Sequence, residues 1–167
     1  MWSFIGVLML VLASFPADTS HTLQERYGQP LPDADKYDQP GTETFRVRPG
    51  IVASVQYGKS GHVCHILVRP ARPFSPIQSR KNTIGTRPQA NGILVDLVPV
   101  EERGKYLNPT LLDLACMGHD TDAVCSGVEE EWEKVVIHHN GGDDSEQYAE
   151  IRWKRDECNQ AATIRTK

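Results

Sequence analysis

Between Thr44 and Val95 the chain has no aspartate or glutamate. The same stretch holds Arg46, Arg48, Lys59, Arg69, Arg72, Arg80, Lys81 and Arg87, so a formal net charge of -4 conceals a basic middle between two acidic ends. Other absences narrow the function classes. After the N-terminus no stretch approaches the ~20 apolar residues that a membrane helix needs, which excludes a helical span in the body of the chain. No C-x-x-C pair occurs, which argues against a zinc-thiolate module. No N-x-[ST] sequon occurs either, which permits a bacterial origin without requiring one. Two further motifs start and then fail. Gly58-Lys59-Ser60 resembles the end of a phosphate-binding loop, but Ala53 stands where the first glycine belongs and a strand, not a helix, follows. The same serine lacks the second glycine of a nucleophile elbow, because position 62 is His62.

What is present begins with MWSFIGVLMLVLASFPADTS, an apolar run from Phe4 to Leu12 with no charge before Asp18. That is the form of a secretory signal, with Val11-Leu12-Ala13 the best small-residue cleavage pattern. The expected organisation is a signal peptide and cleavage region over 1–19, then a single secreted or periplasmic domain over 20–167. In an oxidising compartment Cys64, Cys116, Cys125 and Cys158 are expected to form two disulfides. Three pairings are open. Cys116 with Cys125 across a short polar loop, leaving Cys64 with Cys158 as a long-range staple, is the favoured one.

Periodicity gives the fold class. HTLQERYG predicts a short helix, capped by Ser20 or Thr22 and ended by Gly28. ETFRVR, IVASVQY and HVCHILV alternate apolar and polar residues between Pro-Gly and Gly-Lys-Ser-Gly turns. They predict a three-stranded antiparallel meander with Phe45, Ala53, Val55, Cys64, Ile66 and Val68 inward and Arg46 and Arg48 outward. Residues 69–92, with four prolines and five bases, read as a long basic loop. Ile93–Val98 reads as a short helix or buried strand, and Asn108-Pro109 as the start of a brief helix toward Cys116. EKVVIHH and QYAEIRWKR, joined by NGGDDSE, predict a C-terminal hairpin with an Asn-Gly turn signal. The expected fold is α+β: an antiparallel sheet of about five strands, meander plus hairpin, with two or three short helices.

The histidines are the residues to test for chemistry. Strand alternation sends His62 and His65 to opposite faces, and likewise His138 and His139, so neither pair has the H-x-H spacing of a strand chelate. At most one of His138 and His139 can join a site, with partners supplied from elsewhere in the fold. His119 with Asp120 and Asp122 lacks the remaining ligands of a calcium loop. Glu129, Glu130, Glu131 and Glu133 read as a solvated face around an inward Trp132. No catalytic residue, metal or cofactor is expected from these patterns. The basic run is the remaining candidate. Arg69, Arg72, Arg80, Lys81 and Arg87 suit an anionic partner, such as lipid headgroups, a polysaccharide or other envelope component, or an acidic protein face. Their competing role is internal neutralisation by the acidic C-terminal hairpin. Nucleic acid is disfavoured by export and by the lack of interleaved aromatics beyond Phe74.

Two functional readings result: a disulfide-stapled binding or interaction domain, or a small secreted hydrolase whose histidine site assembles only in the fold. HTLQERYGQP followed by ETFRVRPGIVASVQYGKSGHVCHILV also resembles the small SmpA/OmlA-type envelope assembly modules over residues 21–70, with Gly28, Pro30, Tyr57 and Gly58 as matching positions. The chain lacks the lipidated cysteine of such modules and adds four cysteines and a second half. The resemblance implies an envelope scaffold or binding role without catalysis.

Overall fold

The computed structural model describes residues 19–32, 41–71, 83–115, 124–142, 145–155 and 158. The expected signal region up to residue 18, Arg72, Arg80, Lys81, Cys116, His119, Asp143 and Asp144 lie outside these. The fold is α+β, and the strands among the described residues form one seven-stranded sheet in the order β1-β2-β3-β7-β6-β5-β4, every neighbour antiparallel. β1 (Glu43–Arg48), β2 (Ile51–Tyr57) and β3 (Val63–Pro70) are the expected meander. β6 (Val135–Gly142) and β7 (Ser145–Trp153) are the expected hairpin. β7 docks on β3 with Ile66 opposite Ile151 and Val68 opposite Ala149, which joins the two halves.

The count of about five strands was short by two. β4 (Tyr106–Ala115) and β5 (Val124–Trp132) form a second hairpin on the β6 side. The brief helix expected from Asn108-Pro109 is part of β4. Pairing with β5 overrides the proline signal there, and β4 tolerates Pro109 because it is the terminal strand of the sheet.

Among the described residues three helices accompany the sheet. α1 (Ser20–Tyr27) is capped by Thr19, one residue before the expected cap, with Thr22 Oγ1 accepting from the Thr19 N–H at 2.7 Å. It ends at Gly28, whose φ of 85° suits glycine. α2 (Arg87–Leu97) begins inside the expected loop, so the segment between β3 and α2 is shorter than 69–92. Gln89 accepts from the Thr86 N–H at 2.8 Å, Pro88 lies in the first turn, and Ala90, Ile93, Leu94 and Leu97 make one buried stripe. α3 (Val100–Arg103) is a single turn.

Leu23 of α1 and the α2 stripe cover one sheet face, packing with Phe45, Ala53, Val55, Ile66, Val68, Val135, Ile137, Ala149 and Ile151 in one cluster. Each fully buried large side chain contributes roughly 1.5–3 kcal/mol relative to exposure, so this cluster dominates the stabilisation. Cys64 points inward as expected and is bonded to Cys158, 94 residues along the chain. Cys158 also bridges to Gly58, so this residue is tied to the β2–β3 turn by backbone as well as by sulfur. Cross-linking so long a loop is worth about 4 to 5 kcal/mol in the chain-entropy picture, an upper figure. The other expected disulfide involves Cys116 and falls outside the described residues.

Candidate functional site

His138 and His139 do part to opposite faces. His139 lies on the helix side with no solvent exposure, while His138 is half-buried on the other face. The partners of His139 come from three other places in the fold.

The first is Glu146, one turn away in the same hairpin. His139 pairs with Ala149 and Asn140 with Tyr148, but Gly141 pairs with Glu146, so Gln147 is an extra residue on β7. This bulge reverses the alternation and turns Glu146 to the inner face beside His139. Glycine is required opposite it. Gly141 has φ 128°, and a Cβ there would lie 2.4 Å from the Ser145 carbonyl oxygen. Glu146 is wholly buried, and its Oε1 is 2.5 Å from His139 Nδ1.

The second is α2. The Glu146 N–H donates to the Gly85 carbonyl at 2.7 Å and its carbonyl accepts from the Ile84 N–H at 2.8 Å, a bridge made just before the helix begins. That bridge brings Arg87 to the same carboxylate, Nε to Oε2 at 2.5 Å, with Nη2 donating to the Gly141 carbonyl at 3.3 Å. Arg87, expected among partner contacts, is therefore engaged inside the fold. The third is β5. Glu130, read from sequence as part of a solvated face, shares the inner side with Trp132, and its Oε1 stands 3.6 Å from His139 Nε2. Glu130 Oε2 accepts from the Trp132 indole at 3.2 Å. Arg103 of α3 is buried next to it, its guanidinium 5.4 Å over the Trp132 ring and its Nε donating to the Val98 carbonyl at 2.9 Å.

The result is a line of alternating charge: Arg87, Glu146, His139, Glu130, Arg103. Burial pushes the His139 imidazolium toward losing its proton, but Glu130 and Glu146 together outweigh burial and raise its pKa above the usual value. Glu130 is held below the usual carboxylate range, chiefly by His139. Burial lowers the Arg103 value against the attraction of Glu130 and Glu101. Glu146 is hydrogen-bonded to Nδ1, whereas Nε2 makes no hydrogen bond and faces Glu130 at ion-pair distance, so the charged ring is attracted from both sides. Such a line can store a proton and fix five elements, α2, β7, β6, β5 and α3, to one another. It offers a substrate no approach to the imidazole.

The helix-free face is laid out differently. Thr44, Ser54, Leu67, Glu150, His138 and Glu129 form one row across six strands. On the β1–β3 side this face carries Arg46, His65 and Arg69, and the carboxylate of Glu43 sits on the opposite face, bonded to Ser20 and Tyr57. On the β7–β5 side it carries Glu150, Glu129 and Glu131 together with Arg152. The boundary is paired: Glu150 lies 3.8 Å from His65 Nε2 and 2.5 Å from Arg152 Nη2, and its pKa is drawn down to about 2, first by His65 and then by Arg152. Arg69 is part-buried, with Nη1 3.5 Å from the Pro70 carbonyl. Among the described residues no cluster of three or more His, Cys, Asp or Glu side chains is arranged to hold a metal ion, and no helix is long and apolar enough to cross a membrane.

No family model matches this sequence, and no curated protein matches it. Among solved structures the chain is similar to the crystal structure of a DUF4309 family protein, YjgB, from Bacillus subtilis subsp. subtilis str. 168. The identity is 12%, over 83% of this chain and 80% of that one, with a TM-score of 0.41.

Proposed function

We propose that the chain is an exported, disulfide-stapled interaction domain without catalytic activity, and that it meets an anionic partner through the basic half of its sheet. The observation that carries this reading is the sorting of charge on the helix-free face: Arg46, His65 and Arg69 on the β1–β3 side, and Glu129, Glu131 and Glu150 on the other, where the one arginine, Arg152, is paired to Glu150. Along the chain, Arg69 begins the run that continues to Arg72, Arg80 and Lys81. A one-sign surface attracts ligands of the opposite sign and orients them on approach. The Cys64–Cys158 bond is compatible with an oxidising compartment. The envelope role implied by the resemblance over residues 21–70 belongs to the same class, with an anionic envelope component as partner. A hydrolase would need a histidine that substrate can reach, and the buried His139 lends that alternative no support.

Retention on vesicles containing an anionic phospholipid, compared with neutral vesicles and with a sulfated-polysaccharide matrix, tests the proposal. Binding at low salt that weakens steeply as salt rises, and that is lost when Arg46, Arg69, Arg72, Arg80 and Lys81 are changed to Gln, is the expected result. Equal retention by the five-fold variant would sink it.

A further inference from the structure

Among the described residues, charged groups face His139 from both neighbouring strands and from α2. Glu130 approaches from β5 at 3.6 Å, Glu146 from β7 at 2.5 Å, and Arg87 from α2 stands behind Glu146. Arg103 of α3 and the Trp132 indole complete the surroundings of Glu130. With the imidazole charged, Arg87 and His139 balance Glu146 and Glu130: Nδ1 is hydrogen-bonded to Glu146, and Nε2 holds Glu130 by charge at 3.6 Å, without a hydrogen bond.

The two ends of this arrangement differ. Glu146 has no exposure, is shared with Arg87, and is pinned through its backbone to Ile84 and Gly85. Glu130 keeps 23% of its side-chain surface in solvent. When the ring loses its proton, the single remaining N–H stays with the fixed and closer Glu146. Nε2 then turns a lone pair toward Glu130, and water is the better partner for that carboxylate.

We propose that His139 is a protonation switch: charged, it holds Glu130 inward; neutral, it releases Glu130 to solvent and with it the Trp132 indole at the β4–β5 edge. Trp132 is joined to Glu130 by its N–H, to Tyr106 by an edge-on contact of 4.9 Å between ring centroids, and to Arg103 across its face. Movement of Glu130 therefore changes the aromatic corner where β4 begins. The raised pKa of His139 sets the direction: the corner is closed in mild acid and opens as pH rises through that value. The device is independent of the anionic-partner reading, since it lies on the other face of the sheet.

The experiment uses the full chain with Trp2 and Trp153 changed to Phe, which leaves Trp132 as the sole tryptophan of three. Its fluorescence is followed from about pH 5 to pH 9, the range in which a histidine near its ordinary value titrates, beside the NMR titration of the His139 ring. The expected result is a one-proton change in Trp132 emission with the same midpoint as His139, lying above 6.5. Glu130→Gln should abolish the emission change and move the His139 midpoint downward, because one of its two carboxylate partners loses its charge. Three results would each overturn the switch: emission that stays flat while His139 titrates, an emission change that persists in E130Q, or a His139 ring that does not titrate in this range.

Discussion

The two halves of the sheet close the same face by different means. In β1–β3 the inner face is closed by apolar side chains, with Phe45, Ala53, Val55, Ile66 and Val68 at 1% exposure or less and Glu43 only at its margin, and the disulfide sits at the end of the half. In β4–β7 the inward row starts with Val135, Ile137, Ala149 and Ile151 and then changes to Trp132, Glu130, His139 and Glu146. Apolar burial is forgiving, because a shortened side chain leaves a cavity that neighbours partly fill. A buried charge line is unforgiving, because removing one member strands the next. The halves should therefore differ in how damage spreads, more than in how much area they bury.

The largest expected effect tests that difference directly. Glu146→Ala leaves Arg87 without its carboxylate and His139 with Glu130 alone, and a broken buried pair of this kind costs about 3–5 kcal/mol. Ile66→Val in the other half removes one methyl group and should cost about 0.5–1.5 kcal/mol. Urea unfolding midpoints measure both. Should the two variants lose similar stability, the cluster is better solvated than its burial implies. Replacing Arg87, His139 and Glu146 together by apolar residues of similar volume should restore most of the loss, since no charge is then stranded.

Next in size is a pair of glycines. Gly141 in the C-terminal hairpin has positive φ and no room for a Cβ, whereas Gly50 at the β1–β2 turn has φ 76° and open space around it. Gly50→Ala should cost only the left-handed conformation, about 1–2 kcal/mol. Gly141→Ala adds a collision with the Ser145 carbonyl and should cost more, and it should also disturb the histidine line by shifting the bulge that turns Glu146 inward. Thermal melts rank the two, and a lower His139 midpoint in G141A, by NMR, would show the coupling. Equal losses and an unmoved His139 would mean that the bulge does not position Glu146.

These particular residues also mark where sequence reading stopped. The meander was legible because its alternation is strict and its turns carry Pro-Gly and Gly-Lys-Ser-Gly. The separation of His138 from His139 was legible for the same reason. β4 was not, since Asn108-Pro109 mimics a helix start and only pairing with β5 decides against it. The helix from Arg87 had a local signal, Thr86 with Gln89 three residues on and Pro88 between, hidden inside a proline-rich run. The histidine line had none. Glu146 faces inward through a one-residue register shift, Arg87 arrives through a bridge 59 residues away in sequence, and Glu130 sits in a run that reads as solvent-facing. Those are properties of pairing between distant segments.

The pH profile of stability should separate the halves more gently. His139 has a raised pKa in the folded state, so its contribution is complete below the unfolded value of 6.5 and is lost as pH rises through the folded one. Glu130 and Glu150 have lowered values, so theirs are complete above the unfolded value of 4.5 and are lost as pH falls through the folded ones, near 2 for Glu150. Stability should be greatest in mild acid between these limits. His139→Gln should flatten the alkaline limb, while Ile66→Val should lower the whole curve without changing its shape. A wild-type alkaline limb that survives in H139Q would assign the pH dependence to some other group.

The smallest effect isolates burial from charge. α2 is tied at both ends by an arginine–carboxylate pair, to β1 through Arg48 and Asp96 and to β7 through Arg87 and Glu146. The first pair is half exposed on both sides, 52% and 50%, and the second only 14% and 0%. Exposed pairs are worth less than about 1 kcal/mol and fade with salt, because water competes for both partners and ions screen them. Arg48→Gln should therefore shift the urea midpoint barely, and not at all in about 1 M salt, where the screening length falls to ~3 Å. Arg87→Gln should keep most of its larger cost under the same salt, since Glu146 then lies buried opposite a lone His139. If both losses disappeared together in salt, the helix would be held equally at its two ends by surface electrostatics, and burial would not be what distinguishes the two halves.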